Sequence, residues 1–483
     1  MSTLPAGMIV VWFRNDLRIH DNEVLHEAAH RAATRGESLL PVYLLDPREF
    51  AFARFPPDAD VPKTGGHRLR FLLESLEDLK GRLKRLGSDL IICAGHPESV
   101  IPELCERHHA HEVWYHREVT SEETAVERRL AAALENINLK THPVWGSTLF
   151  HVDDLPFPPD ELPDVFTDFR KRVEKACTLR GLFPEPQSLP PLPSDIVKES
   201  LEVDGARAAA GISPIKPPPR GVLAFRGGET AGLDRIDHYF RRGDHLRTYK
   251  KTRNGMLGAD YSSKLSPWLA HGCLSPRYIH AEVRRYEKER VRNSSTYWLI
   301  FELMWRDYFR FAGLKFGDRL FSLHGFHGRR RPWNRDRDLF VAWAEGRTGV
   351  PFIDANMREL NETGYMSNRG RQNVANFLAK YLNVDWRWGA AYFESKLVDY
   401  DVCSHWGNWA NNAGVGNDPR DRIFNVIAQA KRYDPEADYI RYWLPELGQV
   451  PTEALHDPHG LPNLGSDYPE PIVEIESLLS GYS

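Results

Sequence analysis

The sequence predicts an α/β N-terminal domain with a parallel, Rossmann-like sheet, followed by an all-α C-terminal domain. The chain has 483 residues, more than one hydrophobic core usually serves, so two domains are expected. Short apolar runs alternate with helical patterns over residues 1–145, whereas a period of 3.6 residues dominates from Thr230 onward. Residues 151–220 hold 13 of the 34 prolines, and proline removes amide donors and fixes φ.

These observations divide the chain into four segments. We expect an α/β domain over residues 1–150 and a proline-rich connector, rather than a packed element, over 151–220. A helical domain is expected over residues 221–447, and an acidic tail over 448–483.

The first domain is predicted to contain five strands separated by amphipathic helices. The strands are Met8–Phe13, Leu39–Leu45, Leu90–Ala94, Glu112–His116 and Leu139–Val144. Helices over Gly65–Leu86 and Ser121–Glu135 lie between them, an order typical of a parallel sheet. Thr120 and Glu123 have the spacing of a capping box. No G-x-G-x-x-G follows the first strand, so this sheet is not expected to hold a dinucleotide in the usual way.

The second domain is predicted to be helical throughout, because no strand pattern competes with the 3.6-residue period. The predicted helices are Arg277–Val291, Ser294–Phe311, Leu339–Glu345, Arg369–Asn383 and Trp388–Leu397.

Charge and cysteine content limit the functional classes. The net charge is −4, yet residues 221–447 carry 36 Lys and Arg against 27 Asp and Glu. Such an excess fits nucleic-acid binding, but also an ordinary solvated surface. The five cysteines form no C-x-x-C pair, so we expect reduced thiols and no zinc or other metal site. Without a signal pattern or a membrane-length apolar run, a soluble intracellular protein is expected.

The segment Tyr261–Pro267 combines hydroxyl groups and a lysine just before a helix start. Free amides and the helix dipole at such an N-terminus can bind an anion such as a diphosphate. A serine N-cap followed by proline at the first helical position explains the same residues without a ligand.

On the predicted helix from Ser294, Glu302, Trp305 and Arg306 share one face. A carboxylate among aromatic rings is partly desolvated, so it can hydrogen-bond an imide or a base edge. An exposed Glu302–Arg306 pair beside a core tryptophan is the structural alternative.

Charges and indoles are mixed in the stretch Arg369–Trp409, where Arg371, Asp399 and Asp401 accompany four tryptophans. Buried charges without partners cost several kcal/mol, so a polar-edged planar ligand is favoured over a plain core. This pattern indicates a flavin. A structural ion pair gives the same pattern, and His405 alone is more often structural than catalytic.

Several long motifs, in one order between Met8 and Leu447, resemble the photolyase/cryptochrome family and, within it, the DASH cryptochromes. They are Val11–Asn22, Tyr249–Met256, Phe301–Phe311, Asp354–Leu360 and Met366–Asn373. The resemblance implies an N-terminal antenna domain and a helical domain that binds a U-shaped FAD.

The resemblance also implies roles for particular residues. The FAD contacts would be Tyr249, Ser262, Ser263, Lys264, Leu265, Ser266, Arg306, Asn368, Arg371, Asp399 and Asp401. Trp409, Trp386 and Trp333 would form a photoreduction triad, with Trp409 nearest the flavin. Glu118 stands where family members contact a folate antenna, so methenyltetrahydrofolate is the second cofactor that the resemblance suggests.

The implied activity is that of a deoxyribodipyrimidine photo-lyase. Light-excited reduced flavin would donate an electron to a cyclobutane pyrimidine dimer flipped out of DNA, most readily from a single strand. Glu302 would bond the dimer, Trp305 would stack on it and Gln372 would line the pocket. Arg369 and Arg422 would hold flanking phosphates of single-stranded or locally unpaired DNA. We expect a monomer.

Two positions depart from the family pattern. His405 replaces the usual asparagine beside flavin N5 and is expected to titrate near neutrality. Asn411 replaces a tyrosine or tryptophan, which removes about 1 to 3 kcal/mol of base stacking.

Two other functional classes stay open. A blue-light photoreceptor would bind FAD and signal without repairing DNA, although the 36 residues after Leu447 are fewer than a further domain needs. A light-independent flavin oxidoreductase would need a nicotinamide site. The absence of a G-x-G-x-x-G motif after the first strand is evidence against such a site.

Overall fold

The structure is a computed structural model that describes residues 7–53, 55, 61–216, 218–457 and 468–475. Pro217 of the predicted connector and most of the predicted acidic tail fall outside these residues. No helix within the described part of the chain has the length and apolar character needed to cross a membrane.

The N-terminal domain is built on a parallel sheet of five strands in the order β3-β2-β1-β4-β5. The strands are β1 (Met8–Phe13), β2 (Ser38–Leu45), β3 (Ile91–Ala94), β4 (Ala110–His116) and β5 (Lys140–Val144). All six residues of the central β1 are buried, which explains its uninterrupted apolar sequence. Each predicted strand is therefore confirmed to within two residues at each end.

The described residues of this domain form five helices: α1 (Glu23–Arg35), α2 (Pro47–Phe50), α3 (Gly66–Arg85), α4 (Pro97–Arg107) and α5 (Ser121–Glu135). The bounds predicted for α5 are confirmed, but the predicted capping box is wrong. The Thr120 hydroxyl donates to the Glu123 carboxylate instead of capping a backbone amide. Because the Thr120 hydroxyl is occupied by Glu123, it does not cap the helix.

The proline-rich connector contains packed helices, contrary to the prediction. They are α6 (Phe166–Ala176), α7 (Ser194–Val197) and α8 (Val203–Ala210). Phe166, Phe169 and Val173 are buried on one side of α6. Proline content alone concealed this amphipathic helix, since Phe166–Ala176 itself contains no proline.

The remaining helices form the C-terminal domain: α9 (Glu229–Asp237), α10 (Tyr249–Thr252), α11 (Ser266–Ala270), α12 (Pro276–Glu289), α13 (Ser294–Phe316), α14 (Arg337–Ala344), α15 (Pro351–Thr363), α16 (Asn368–Asn376), α17 (Trp386–Lys396), α18 (Val402–Ala413), α19 (Val426–Tyr433), α20 (Asp438–Trp443) and α21 (Thr452–His456). Five-residue π-helical turns follow α9 at His238–Arg242 and α16 at Phe377–Tyr381. Among the described residues beyond Thr230, β-pairing is limited to one bridge between Asn334 and Val384. The all-α prediction for this domain is confirmed.

The loop that follows β1 joins the two domains. Asp21 receives two hydrogen bonds from the Arg277 guanidinium, at 2.7 and 3.0 Å. His20 Nδ1 lies 2.6 Å from the Glu229 carboxylate. At Gly272, where φ is +65°, a Cβ atom would stand 1.9 Å from the carbonyl oxygen of Asn15, so only glycine permits this approach. The residues that replace a glycine fingerprint thus serve as an interdomain joint.

Helix α13 is anchored to the end of the first domain through Asp307. This fully buried carboxylate accepts the backbone amides of Leu149 and Phe150, at 2.9 and 2.8 Å. One turn later, Arg310 donates to the buried Glu118 at 2.7 Å. Burial raises the pKa of Asp307 to about 7 despite the two amide donors. These contacts fix the helix that also supplies Glu302, Trp305 and Arg306 to the interior of the second domain.

We predict that Asp307→Ala destabilises the protein by about 2 to 4 kcal/mol, because two buried amides lose their acceptor. Urea unfolding at one pH measures the change. Asp318→Ala is the matched control, since this exposed aspartate lies just beyond α13. Equal unfolding midpoints for the two variants would contradict the anchoring role.

Candidate cofactor site

A cavity of about 310 Å³ lies within the helical domain, a size found in small-molecule sites. It is enclosed by α10, the segment before α11, and the helices α13, α16 and α18. The predicted site residues that line it are Tyr249, Ser262, Ser263, Lys264, Leu265, Ser266, Glu302, Trp305, Arg306, Asn368, Arg371, Gln372, Asp399, Asp401, His405 and Trp409. Residues distant in sequence therefore converge on one enclosed space.

The ion pair between Arg371 and Asp399 forms one side of the cavity. Arg371 Nη2 donates to Asp399 Oδ2 at 2.8 Å, and the Ser266 hydroxyl donates to the same oxygen at 2.6 Å. Asp399 Oδ1 is buried and has no hydrogen-bond partner in the described part of the chain. A buried acceptor without a hydrogen bond destabilises the folded protein. The imide N–H of a planar ligand would be a suitable donor to it.

Lys264 supplies a buried amine to the same cavity. Its side chain is buried, its Nζ has no hydrogen-bond partner among the described residues, and it lies 3.1 Å from the Tyr261 ring centroid. Burial lowers the pKa of Lys264 to about 6. Its φ of +52° is unusual for a residue with a side chain, and such strain concentrates at functional sites. An anionic group of a ligand would stabilise the protonated form of this buried amine.

The N-terminus of α11, which the sequence predicted as an anion site, is short and has no side-chain cap. Helix α11 has only five residues, its N-cap position is Leu265, and no side chain caps it. Ser266 bonds Asp399 and not a backbone amide. The serine N-cap that was the structural alternative is therefore not formed. An anion site at this segment stays a prediction, and so short a helix would add little dipole to it.

Arg306 and Asp401 form a second charged pair at the cavity wall. Arg306 Nη2 lies 3.4 Å from Asp401 Oδ2, and Asp401 Oδ1 caps α18 by accepting the Ser404 amide at 2.9 Å. Although burial opposes it, the neighbouring Arg306 helps to keep the pKa of Asp401 below its usual value. The Nε of Arg306 is buried without a partner, so this wall also retains a free donor.

Glu302 and Trp305 lie on the same face of α13, as predicted. Burial raises the pKa of Glu302, although Arg253 Nη1 lies 2.5 Å from its carboxylate. Trp305 stacks one ring face on Phe166, with ring centroids 3.7 Å apart. The pair with Arg306 that was the structural alternative is not formed, because Arg306 turns to Asp401 and to backbone carbonyls.

Arg369 is a predicted residue that contacts the cavity-lining Gln372. Arg369 donates to Gln372 Oε1 at 2.7 Å and to Asn254 Oδ1 at 3.1 Å, and its guanidinium lies over Tyr433. Arg369 does not line the cavity itself. It fixes the Gln372 carbonyl, so the Gln372 amide is left to face a ligand.

His405 is neutral in this environment, contrary to the prediction that it titrates near neutrality. Its Nε2 donates to the Ala390 carbonyl at 2.8 Å, and burial lowers the pKa of His405 to about 3. A carbonyl accepts only from a protonated nitrogen, so Nδ1 is the unprotonated atom of the neutral ring. His405 therefore presents Nδ1 as a hydrogen-bond acceptor.

The three predicted tryptophans differ in position. Trp409 lines the cavity and packs on α17 at Gly389, where a Cβ atom would stand 2.4 Å from its ring. Trp386 is fully buried on α17 and contacts Trp406 at 5.7 Å between ring centroids. Trp333 is half-buried. Their role in electron transfer stays a prediction.

Three other predicted residues lie away from the cavity lining. Asn411 Oδ1 accepts the amides of Asn417 and Asp418 at 2.9 and 3.3 Å, so this side chain is occupied in shaping the following loop. Arg422 is exposed. Both carboxylate oxygens of Glu118 have protein partners, Asn15 and Arg310.

The prediction missed Arg253, Asn408 and Asn412, all of which line the cavity. Arg253 follows Tyr249 by one helical turn, a spacing that places both on one face and was available as a signal. The two asparagines follow Ser404 at intervals of four residues on α18, which is the same signal.

Comparisons with known proteins identify the family of the chain. A family model for the FAD binding domain of DNA photolyase matches residues 298–479, and a model for DNA photolyase matches residues 9–193. A cryptochrome DASH of Gloeobacter violaceus is 51% identical over 482 residues, covering 98% of this chain and 94% of the relative. One from Xenopus laevis is 50% identical, covering 97% and 90%.

Solved structures show the same architecture. A Synechocystis sp. cryptochrome superimposes with a TM-score of 0.92 at 48% identity, covering 100% of this chain and 99% of that one. A class III photolyase of Agrobacterium tumefaciens gives a TM-score of 0.83 at 28% identity, with coverage of 100% and 98%.

The state of His405 leads to a prediction about stability. The unfolded chain binds a proton near pH 6.5 and the folded chain does not, so the free energy of unfolding falls as the pH drops below that value, by ~1.4 kcal/mol per unit. Between about pH 7.5 and about pH 5.5, the native protein should lose ~1.4 kcal/mol more than His405→Asn. Urea unfolding at both pH values measures this difference.

The exposed His30→Asn variant is the control and should retain the native pH dependence. If His405→Asn loses as much stability as the native protein over this range, the neutral assignment is wrong.

Proposed function

The chain belongs to the DNA photolyase and cryptochrome family, among the proteins named cryptochrome DASH, and on that premise we propose that it is a blue-light-dependent deoxyribodipyrimidine photo-lyase acting on cyclobutane dimers in single-stranded DNA. The observation that carries the proposal is the row of Glu302, Trp305 and Gln372 along the cavity that also contains Lys264 and Asp399. Cofactor and substrate would then meet in one space.

The unpaired groups of the cavity fit FAD. Asp399 Oδ1 is a buried acceptor for the imide edge of the flavin, and Lys264 Nζ is a buried donor for an anionic part of the cofactor. Ser262, Ser263 and Ser266 add hydroxyl groups between these two points. Arg306, Asp401, Asn368 and Tyr249 complete the proposed contacts.

Reduced FAD, when bound and excited by blue light, would supply the electron that splits the dimer. The protein would hold and orient that dimer. The Glu302 carboxylate, which Arg253 Nη1 contacts at 2.5 Å, can accept a hydrogen bond from a base edge, and the Gln372 amide can donate another. Trp305, backed by Phe166, offers a rigid stacking surface.

Two arginines are the proposed DNA contacts. Arg369 and the exposed Arg422 would receive phosphates, and such contacts would make affinity fall with salt. A flipped base costs least to extrude from a single strand, which supports that substrate preference. Photoreduction through Trp409, Trp386 and Trp333 belongs to the same proposal.

The structure supports a folate antenna at Glu118 less than it supports FAD in the cavity. Glu118 is buried at the domain joint with both oxygens bonded by protein groups. Binding of methenyltetrahydrofolate there would require those bonds to be exchanged. FAD is therefore the cofactor on which the proposal rests.

A photoreceptor that binds FAD and repairs nothing is the second candidate. Asn411 favours it, because this position carries no aromatic ring and its amide oxygen is occupied by the loop after α18. Loss of a stacking wall weakens the hold on a flipped base by about 1 to 3 kcal/mol.

Illumination of the reduced, FAD-loaded protein with a single-stranded oligonucleotide that contains a thymine dimer separates the two candidates. We predict recovery of the ultraviolet absorbance of intact thymines. Glu302→Gln should slow this recovery roughly tenfold or more, because it removes a charge-assisted hydrogen bond. The exposed Glu345→Gln should leave it unchanged.

Absence of recovery with FAD bound would refute the repair proposal and leave the photoreceptor. A gain of activity in Asn411→Tyr would then assign the loss to the missing aromatic wall.

A further inference from the structure

A cluster of two histidines and one aspartate lies outside the cofactor cavity, on the surface of the helical domain. One ligand atom each of His238, His245 and Asp260 lies within 4.8 Å of the other two. Asp260 Oδ2 is 3.2 Å from His238 Nε2 and 3.4 Å from His245 Nε2. None of the three residues lines the cavity, so the proposed photochemistry leaves them unexplained.

The aspartate of this cluster is held in place by a buried arginine. Arg235, which is 5% exposed, donates from Nη1 to Asp260 Oδ1 at 2.8 Å. Its other donors are bound by the backbone carbonyls of Ala259, Ser262 and Ser263. Oδ1 also lies 3.1 Å from His238 Nε2, and Oδ2 lies within 3.4 Å of both imidazoles. Partners that orient ligand side chains in this way are typical of metal sites.

The histidines are brought together by two non-α turns. His238 begins the π-helical turn that follows α9, and His245 begins a 3-10 turn over His245–Thr248. At Gly243, a Cβ atom would stand 2.2 Å from His245 Nε2, so the glycine makes room for this ring. The side chains of His238, His245 and Asp260 are 37%, 34% and 30% exposed. An ion can therefore enter from solvent and keep a position open to water.

The distances suit a tetrahedral ion. Zinc ligands lie about 2.0 to 2.2 Å from the metal, so two of them in a tetrahedron are about 3.3 to 3.6 Å apart. The separations of 3.2 and 3.4 Å between Asp260 Oδ2 and the two imidazoles are close to that edge. Two imidazoles with one carboxylate suit zinc, whereas magnesium and calcium prefer oxygen ligands alone.

We propose that His238, His245 and Asp260 form a three-ligand site for a divalent transition-metal ion, with Zn²⁺ as the favoured occupant and water at the fourth position. The sequence predicted no metal site because the cysteine spacing was the only signal considered. The ligands here are separated by 7 and 15 residues, and the turns after α9 bring them together.

Equilibrium dialysis of the tag-free, FAD-loaded protein against zinc chloride, followed by elemental analysis, tests the site. We expect one zinc ion per chain and a dissociation constant that rises at least tenfold in His245→Gln and in His238→Gln. The control His30→Gln, at an exposed histidine of α1, should bind as the native protein does. Unchanged far-ultraviolet circular dichroism in the variants shows that they are folded.

Zinc binding that persists in both histidine variants would place the ion elsewhere and overturn the proposal. Failure of the native protein to bind zinc would also overturn it and leave a hydrogen-bonded cluster without a metal. X-ray absorption of the zinc-loaded protein should show nitrogen and oxygen neighbours, and sulfur neighbours would contradict the assignment.

Discussion

The buried carboxylate of Asp307, which accepts two backbone amides, fixes α13 between the two domains. The other parts of the site depend on this helix, because α10, α12 and α18 all pack against it. Asp307 and Arg310 tie α13 to the first domain, and Glu302, Trp305 and Arg306 of the same helix line the cavity. A shift of α13 would therefore move the proposed substrate contacts relative to Lys264 and Asp399.

Much of the fold followed from local patterns. The buried strands have apolar sequences because the sheet is parallel and covered on both faces. The amphipathic pattern of α5 predicted both of its ends correctly. The predictions failed where a side chain had two partners to choose from. Thr120 bonds the Glu123 carboxylate instead of an amide, and Ser266 bonds Asp399 across 133 residues. Sequence spacing contains no information about such a competition.

The candidate site was predicted in part from charge and in part from resemblance. Buried charges among indoles indicated the Arg371–Asp399 pair before any family was considered, and the serines and Lys264 were indicated as an anion site. The family motifs gave these residues their roles toward FAD. The state of His405 could not be predicted, because it depends on burial and on the Ala390 carbonyl, which α17 supplies. The His238, His245 and Asp260 cluster was missed for a similar reason, since two turns bring residues with no recognisable spacing together.

The central claim is that the unpaired atoms of the cavity are the contacts of FAD, and Asp399 Oδ1 tests it most directly. Asp399→Asn keeps the shape of the side chain but cannot accept from both Arg371 and a ligand imide. Equilibrium titration of the apoprotein with FAD should give one site per chain and an affinity at least tenfold weaker in Asp399→Asn, because a hydrogen bond to a charged acceptor is lost. Equal affinities in the native protein and the variant would contradict this account of the cavity.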